Sequence, residues 1–128
     1  MTGRPRVLLI EDHADTRAMY VEFLGFDYEV GEAGDGLAGF ESASADPPDV
    51  IITDLALPRL DGYALIERLR SDERLRDIPI IALSGYSGFG HDARVTASKP
   101  DAVLQKPCLP EELADEINKQ LARRSKQA

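Results

Sequence analysis

The feature that most limits what this chain can become is an apolar run that stops on a carboxylate: Pro48-Asp49-Val50-Ile51-Ile52-Thr53-Asp54, followed by a turn through Pro58 and Gly62. The run is short, β-branched and bounded by prolines, the pattern of a strand buried on both faces of a parallel sheet. Asp54 then stands where the strand ends. In open α/β sheets, ligands bind in the crevice beyond the carboxyl ends of the strands, so an acid there is placed for chemistry. Taken alone, Asp54 could equally start a turn or cap the next helix. The other strand ends decide between these readings.

Arg6-Val7-Leu8-Leu9-Ile10 is expected to form a first buried strand that ends in Glu11-Asp12. One acid would suffice to cap the helix expected over 14–24; a pair near a third acid points to a hard cation held by oxygen ligands. That helix carries Met19, Tyr20, Phe23 and Leu24 as its apolar stripe and stops at Gly25. His13 has no second His or Cys at metal-ligand spacing and is read as a solvated loop residue. Tyr28-Glu29-Val30 alternates in polarity and suits a strand near a sheet edge.

Gly34-Asp35-Gly36-Leu37-Ala38-Gly39 matches the G-x-G-x-x-G of dinucleotide-binding proteins literally. It follows the second, more polar strand, however, where that fingerprint belongs after the central first one, and a dinucleotide site would leave Glu11, Asp12 and Lys106 without a role. The glycines are therefore read as turn formers at the start of a helix reaching about Ala45. Gly62 to Ser71 is an amphipathic helix with Tyr63, Leu65, Ile66 and Leu69. Ile78 to Leu83 is a further strand, tolerating Pro79 near its start and ending at Ser84. Three glycines make 85–90 a mobile-looking loop. The helical pattern from His91 to Ser98 is weak, and Pro100 forbids its extension. Asp101 to Pro107 supplies a short last strand ending in Lys106, and Pro110-Glu111-Glu112 starts a final helix with Leu113, Ile117 and Leu121 on one face. Five strands alternating with five helices make an α/β doubly wound parallel sheet, and right-handed crossovers bring all the strand ends to one edge.

With 128 residues, 43% hydrophobic and 30% charged, the chain has room for one domain, with a core over about 6–122 and a frayed tail over 125–128. No apolar run approaches the roughly 20 residues that cross a bilayer, and the N-terminal apolar run is too short for a signal peptide; a cytoplasmic protein is expected. A formal net charge of -8 argues against nucleic acid and anionic membranes as partners and favours proteins. The single Cys108 excludes an internal disulfide and reads as a small packed apolar group. Arg123, Arg124 and Lys126 suit the end of a helix as cations facing its macrodipole.

One sheet edge would thus gather Glu11, Asp12, Asp54, Ser84 and Lys106. The carboxylates outnumber the single ammonium, and a divalent cation such as Mg2+ would restore the balance while leaving positions for phosphate oxygens. Phosphoryl transfer needs little more than an in-line nucleophile and charge neutralisation. Asp54 can be the nucleophile, Lys106 can pair with the phosphate, and Ser84 can donate to one of its oxygens.

In this order, Glu11-Asp12, Asp54-Leu55-Ala56-Leu57-Pro58-Arg59-Leu60-Asp61-Gly62, Ser84-Gly85 and Lys106-Pro107 resemble a response-regulator receiver domain of two-component signalling over nearly the whole chain. Ser84-Gly85-Tyr86 and Val103 to Pro107 are also similar to receivers attached to hybrid histidine kinases. The resemblance implies a flavodoxin-like (βα)5 fold and transfer of a phosphoryl group from a phosphohistidine, on a sensor histidine kinase or histidine phosphotransfer protein, to Asp54 with Mg2+. It implies that Asp12, Asp54 and the Ala56 carbonyl ligate the metal and that Glu11 acts largely through water. It also implies a monomer or weak dimer that signals through a downstream protein. Val103 departs from the family, which commonly places an aromatic switch residue three positions before the lysine. Two alternatives keep their own signals: a binding module that works without phosphorylation, for which Val103 leaves room, and a Mg2+-dependent aspartyl-phosphate phosphatase, whose usual acid two residues after the nucleophile is here Ala56.

Overall fold

The structure, a computed structural model, describes residues 3–85 and 91–127. Strands and helices alternate without exception: β1 (Arg6–Ile10), α1 (Ala14–Leu24), β2 (Glu29–Ala33), α2 (Gly36–Ala45), β3 (Val50–Asp54), α3 (Gly62–Arg70), β4 (Ile80–Ser84), α4 (His91–Ser98), β5 (Ala102–Gln105) and α5 (Pro110–Gln127). The strands form one parallel sheet in the order β2-β1-β3-β4-β5, the flavodoxin-like order that reverses direction between β1 and β3. The expected (βα)5 architecture is therefore present.

The apolar runs are continuous because the inner strands are covered on both sides. Side chains alternate across a strand, and Leu8, Ile10, Ile51 and Ile80 pack on one face with Leu65, Ile66 and Leu69 of α3 and Ala43 of α2. Val7, Leu9, Val50, Ile52, Ile81 and Leu83 pack on the other with Tyr20 and Leu24 of α1 and Leu113 and Ile117 of α5. Cys108 is buried in this second layer, as a packed apolar group should be.

Several boundaries differ from the sequence expectation. β2 is Glu29–Ala33, not 28–30, because its register is set by β1: Arg6 pairs with Glu29 and Ile10 with Ala33. Tyr28, just before it, is buried, and its hydroxyl bonds to Asn118 of α5. β4 begins at Ile80, two residues late, where the Asp101 carboxylate takes the Ile80 N–H at 2.7 Å. On α1 only Tyr20 and Leu24 are buried, while Met19 and Phe23 stay exposed, because α1 meets the protein along one line and not across the wider stripe. Arg124 is not only a helix-end cation: it donates to the Asp49 carbonyl at 2.8 Å and ties α5 to the start of β3. The expected loop over 85–90 lies, beyond Gly85, outside the described residues.

The glycines of the dinucleotide-like motif have packing duties. Asp35 caps α2 by accepting from Ala38 N at 2.8 Å. A Cβ on Gly36 would fall 1.8 Å from the Leu60 carbonyl oxygen, so the close approach of two backbones requires glycine there.

Candidate functional site

β1, β3, β4 and β5 end side by side, and their last residues and the ones just beyond carry every predicted site side chain. Glu11 follows β1 and is 1% exposed. Its N–H donates to the Ala33 carbonyl at 3.0 Å, and its carboxylate accepts from the His13 N–H at 3.0 Å. Asp12, next in the chain, is exposed. Asp54 ends β3 and is 4% exposed; Oδ1 accepts from Ala56 N at 3.0 Å and Oδ2 from Lys106 Nζ at 2.6 Å. Lys106 also lies 3.5 Å from Glu11 Oε1, and its own N–H donates to the Ser84 carbonyl at 2.7 Å. Ser84 is buried at the end of β4. The fold thus brings together Glu11, Asp12, Asp54, Ala56, Ser84 and Lys106.

Charge dominates this edge. Burial pushes the Glu11 carboxyl above the ordinary glutamate range and the nearby Asp54 adds to this, while the His13 N–H and the Lys106 ammonium oppose it. Burial alone would lower the Lys106 ammonium, but its hydrogen bond to Asp54 and the charges of Asp54 and Glu11 prevail, leaving it above the ordinary lysine value. One oxygen from each of Glu11, Asp12 and Asp54 lies within 4.8 Å of the others. This is an all-oxygen donor set with an exposed member facing solvent, and it carries more negative charge than Lys106 neutralises. Such a set fits a hard divalent cation that keeps part of its water shell.

His13 differs from the sequence expectation. It is exposed, but it caps α1: Nδ1 accepts from Thr16 N at 3.3 Å and bonds with Thr16 Oγ1 at 2.9 Å. The acidic pair is thereby relieved of capping. Two residues near the site were not legible as such in the sequence. The Tyr20 hydroxyl donates to the Cys108 carbonyl at 2.6 Å, joining α1 to the segment after Lys106 and Pro107, whose peptide bond is cis. Arg17 donates from Nη1 to the Glu11 carbonyl at 2.8 Å and from Nε to Glu32 of β2 at 3.0 Å. The only signal for either was a polar group placed on a helix beside the acidic pair. Val103 is 43% exposed on β5.

Comparison with known proteins agrees with this geometry. The family model of the response regulator receiver domain matches residues 7–118. Hybrid signal transduction histidine kinase D of Dictyostelium discoideum is 34% identical over 126 residues, which is 98% of this chain but 8% of that protein. Sensor histidine kinase TmoS of Ectopseudomonas mendocina is 34% identical over 92% of this chain and 11% of its own length. The DNA-binding dual master transcriptional regulator RpaA of Synechocystis is 34% identical over 93% of this chain and 50% of its length. This chain therefore spans half or less of these relatives. Among solved structures, the receiver domain of sensor histidine kinase PA1611 from Pseudomonas aeruginosa, with a magnesium ion coordinated in its active-site cleft, superposes with a TM-score of 0.86 at 28% identity. That match covers 94% of this chain and 99% of the other. Chemotaxis protein CheY4 of Vibrio cholerae superposes with a TM-score of 0.85 at 27% identity over 93% and 100% of the two chains. With this fold, these strand ends and a family match over most of its length, the chain belongs to the response regulator receiver domains of two-component signalling.

Proposed function

We propose that this chain is a phosphoacceptor: residues 1–128 act as one cytoplasmic receiver that takes a phosphoryl group from a phosphohistidine of a sensor histidine kinase or phosphotransfer protein onto Asp54. The observation that carries this is the buried Asp54 carboxylate bonded at 2.6 Å to Lys106 beside Glu11 and Asp12, with Ser84 at the neighbouring strand end. A carboxylate oxygen of Asp54 attacks phosphorus, the P–N bond to the donor imidazole breaks, and its electron pair stays on the imidazole nitrogen.

Each neighbour has a part in that transfer. Lys106, charged well beyond neutral pH, pairs with the added negative charge as it leaves its bond to Asp54. Ser84 donates its hydroxyl to a phosphoryl oxygen. Glu11, Asp12, Asp54 and the Ala56 carbonyl would hold Mg2+, with Glu11 acting largely through water. When bound, the cation supplies charge neutralisation for the phosphoryl oxygens. The phosphatase alternative lacks its acid, because Ala56 stands two residues after Asp54.

Intact-protein mass after incubation with acetyl phosphate tests the proposal. One phosphoryl adduct that requires Mg2+ and is absent from Asp54→Asn is expected. A folded protein that gains no adduct, or an adduct that persists in Asp54→Asn, would overturn it.

A further inference from the structure

Arg17 is a polar side chain beside the site whose bonds the phosphoacceptor chemistry leaves unexplained. Its Nη1 donates at 2.8 Å to the Glu11 carbonyl, which belongs to the peptide unit joining Glu11 to Asp12. Its Nε donates at 3.0 Å to Oε1 of Glu32, so one planar guanidinium spans the β1–α1 turn and the β2 edge strand. The Arg17 side chain is only 23% exposed, whereas Glu32 is 49% exposed. Gly34 lies beside the same group: a Cβ there would sit 3.4 Å from Nη1, in van der Waals contact with the guanidinium. The Glu11 N–H is already bound to Ala33, so with Arg17 the backbone of Glu11 is held to β2 at both ends.

Resting on the metal-binding reading above, we propose that Arg17 is a positioning residue: it fixes the Glu11–Asp12 peptide, and through it the exposed Asp12 carboxylate, in the arrangement that receives a divalent cation, with Glu32 as its anchor. Asp12 is the exposed member of the acidic cluster, and the peptide preceding it is the part of its backbone that Arg17 grips. Groups that orient metal ligands without touching the metal typically change affinity by about 10- to 100-fold when removed.

The sign of the effect separates positioning from simple charge. Arg17 is a cation near a cation site, so on Coulombic grounds its removal should tighten Mg2+ binding. Positioning requires the opposite. Isothermal calorimetry with Mg2+ alone, on wild type, Arg17→Gln, Arg17→Lys and Glu32→Gln, gives the measurement. The expected result is an affinity weaker by about 10-fold in Arg17→Gln, a comparable loss in Arg17→Lys, whose point charge cannot bridge both partners, and a smaller loss in Glu32→Gln. In metal-free protein, the backbone amide of Asp12 should lose 15N order in Arg17→Gln while the core strands keep theirs.

Unchanged or tighter Mg2+ binding in a folded Arg17→Gln overturns the proposal and leaves the metal reading intact. If Arg17→Gln does not fold, Arg17→Lys decides, because it keeps the charge and loses only the bridge: a loss of affinity supports positioning, and wild-type affinity overturns it. A wild type that binds no Mg2+ overturns the metal reading and this inference together.

Discussion

Asp54 and Glu11 are buried carboxylates that share one ammonium, so the electrostatics of the strand edge turn on Lys106. Lys106→Met keeps much of the aliphatic stem but removes the donor, leaving two desolvated acids without a counter-charge. With the Lys106 side chain 29% exposed, solvent softens the effect, and a loss of about 1–3 kcal/mol is expected in urea denaturation at neutral pH without divalent cations. Added Mg2+ should recover part of it. Asp12→Asn acts in the opposite direction. It removes one of the crowded charges, so the urea midpoint without metal should rise slightly, while the stabilisation by Mg2+ expected of wild type should be absent. A midpoint that still climbs with Mg2+ in Asp12→Asn would remove Asp12 from the metal set.

At the level of elements, the β3–α3 connection is a tight joint. A Cβ on Gly62 would lie 2.4 Å from the Asp54 carbonyl oxygen and 2.5 Å from Leu55 Cα, both backbone atoms that cannot swing away. Gly62→Ala should therefore cost about 3 kcal/mol or more and displace Asp54, lowering phosphorylation as well as stability. Gly31→Ala, whose Cβ would meet only the Leu8 side chain at 3.7 Å, is the control and should change stability by about 0.5 kcal/mol at most. α4 is held differently. Arg94 lies 3.1 Å from Asp61 Oδ2 and 3.9 Å over the Tyr63 ring, both on or beside α3. These are exposed contacts of modest strength, and Arg94→Ala should raise amide exchange in α4 by about 2- to 5-fold. An acyl phosphate on Asp54 would carry roughly 1.5 to 2 negative charges in place of the single charge of the carboxylate. Because Val103 offers no aromatic toggle, the response should pass through these weak α4 contacts and appear as altered exchange in α4, β5 and α5. Unchanged protection there on phosphorylation would refute this route.

For the whole molecule, alkaline pH is the informative stress. Burial raises the Tyr28 and Tyr20 hydroxyls and the Cys108 thiol above their ordinary values of 10.0, 10.0 and 9.0. The folded state holds these protons more firmly than the unfolded chain, so it binds more protons than the unfolded state as pH rises past those values. Their contribution to stability is complete below about pH 9 and is lost as pH climbs through the raised values. Urea unfolding should show little change from these groups between pH 7 and 9 and a decline above. Tyr28→Phe should shrink that decline, at a cost near neutrality of about 1 kcal/mol for the bond to Asn118.

The elements that could be read from the chain are those whose pattern is local. β1 and β3 are buried on both faces and show as unbroken apolar runs, and each carries or meets an acid where the run stops, so Glu11, Asp12 and Asp54 were visible as strand-end residues before any fold was drawn. β2 differs because an edge strand with Glu29, Gly31 and Glu32 exposed has no such run, and its limits come from pairing with β1. Met19 and Tyr20 are equally apolar in sequence, yet one is exposed and the other buried; which of them meets α5 and the sheet depends on where α1 is laid down. The bonds that make the edge a site are longer still: Lys106 to Asp54 spans 52 residues, and Arg17 to Glu32 joins a helix to an edge strand. Sequence determined which residues stand at strand ends, because hydrophobic period and chain breakers act over a few positions. Only the tertiary structure decided which of those atoms touch, because the contact between a cation and a carboxylate depends on strand order and register, which no short stretch of chain encodes.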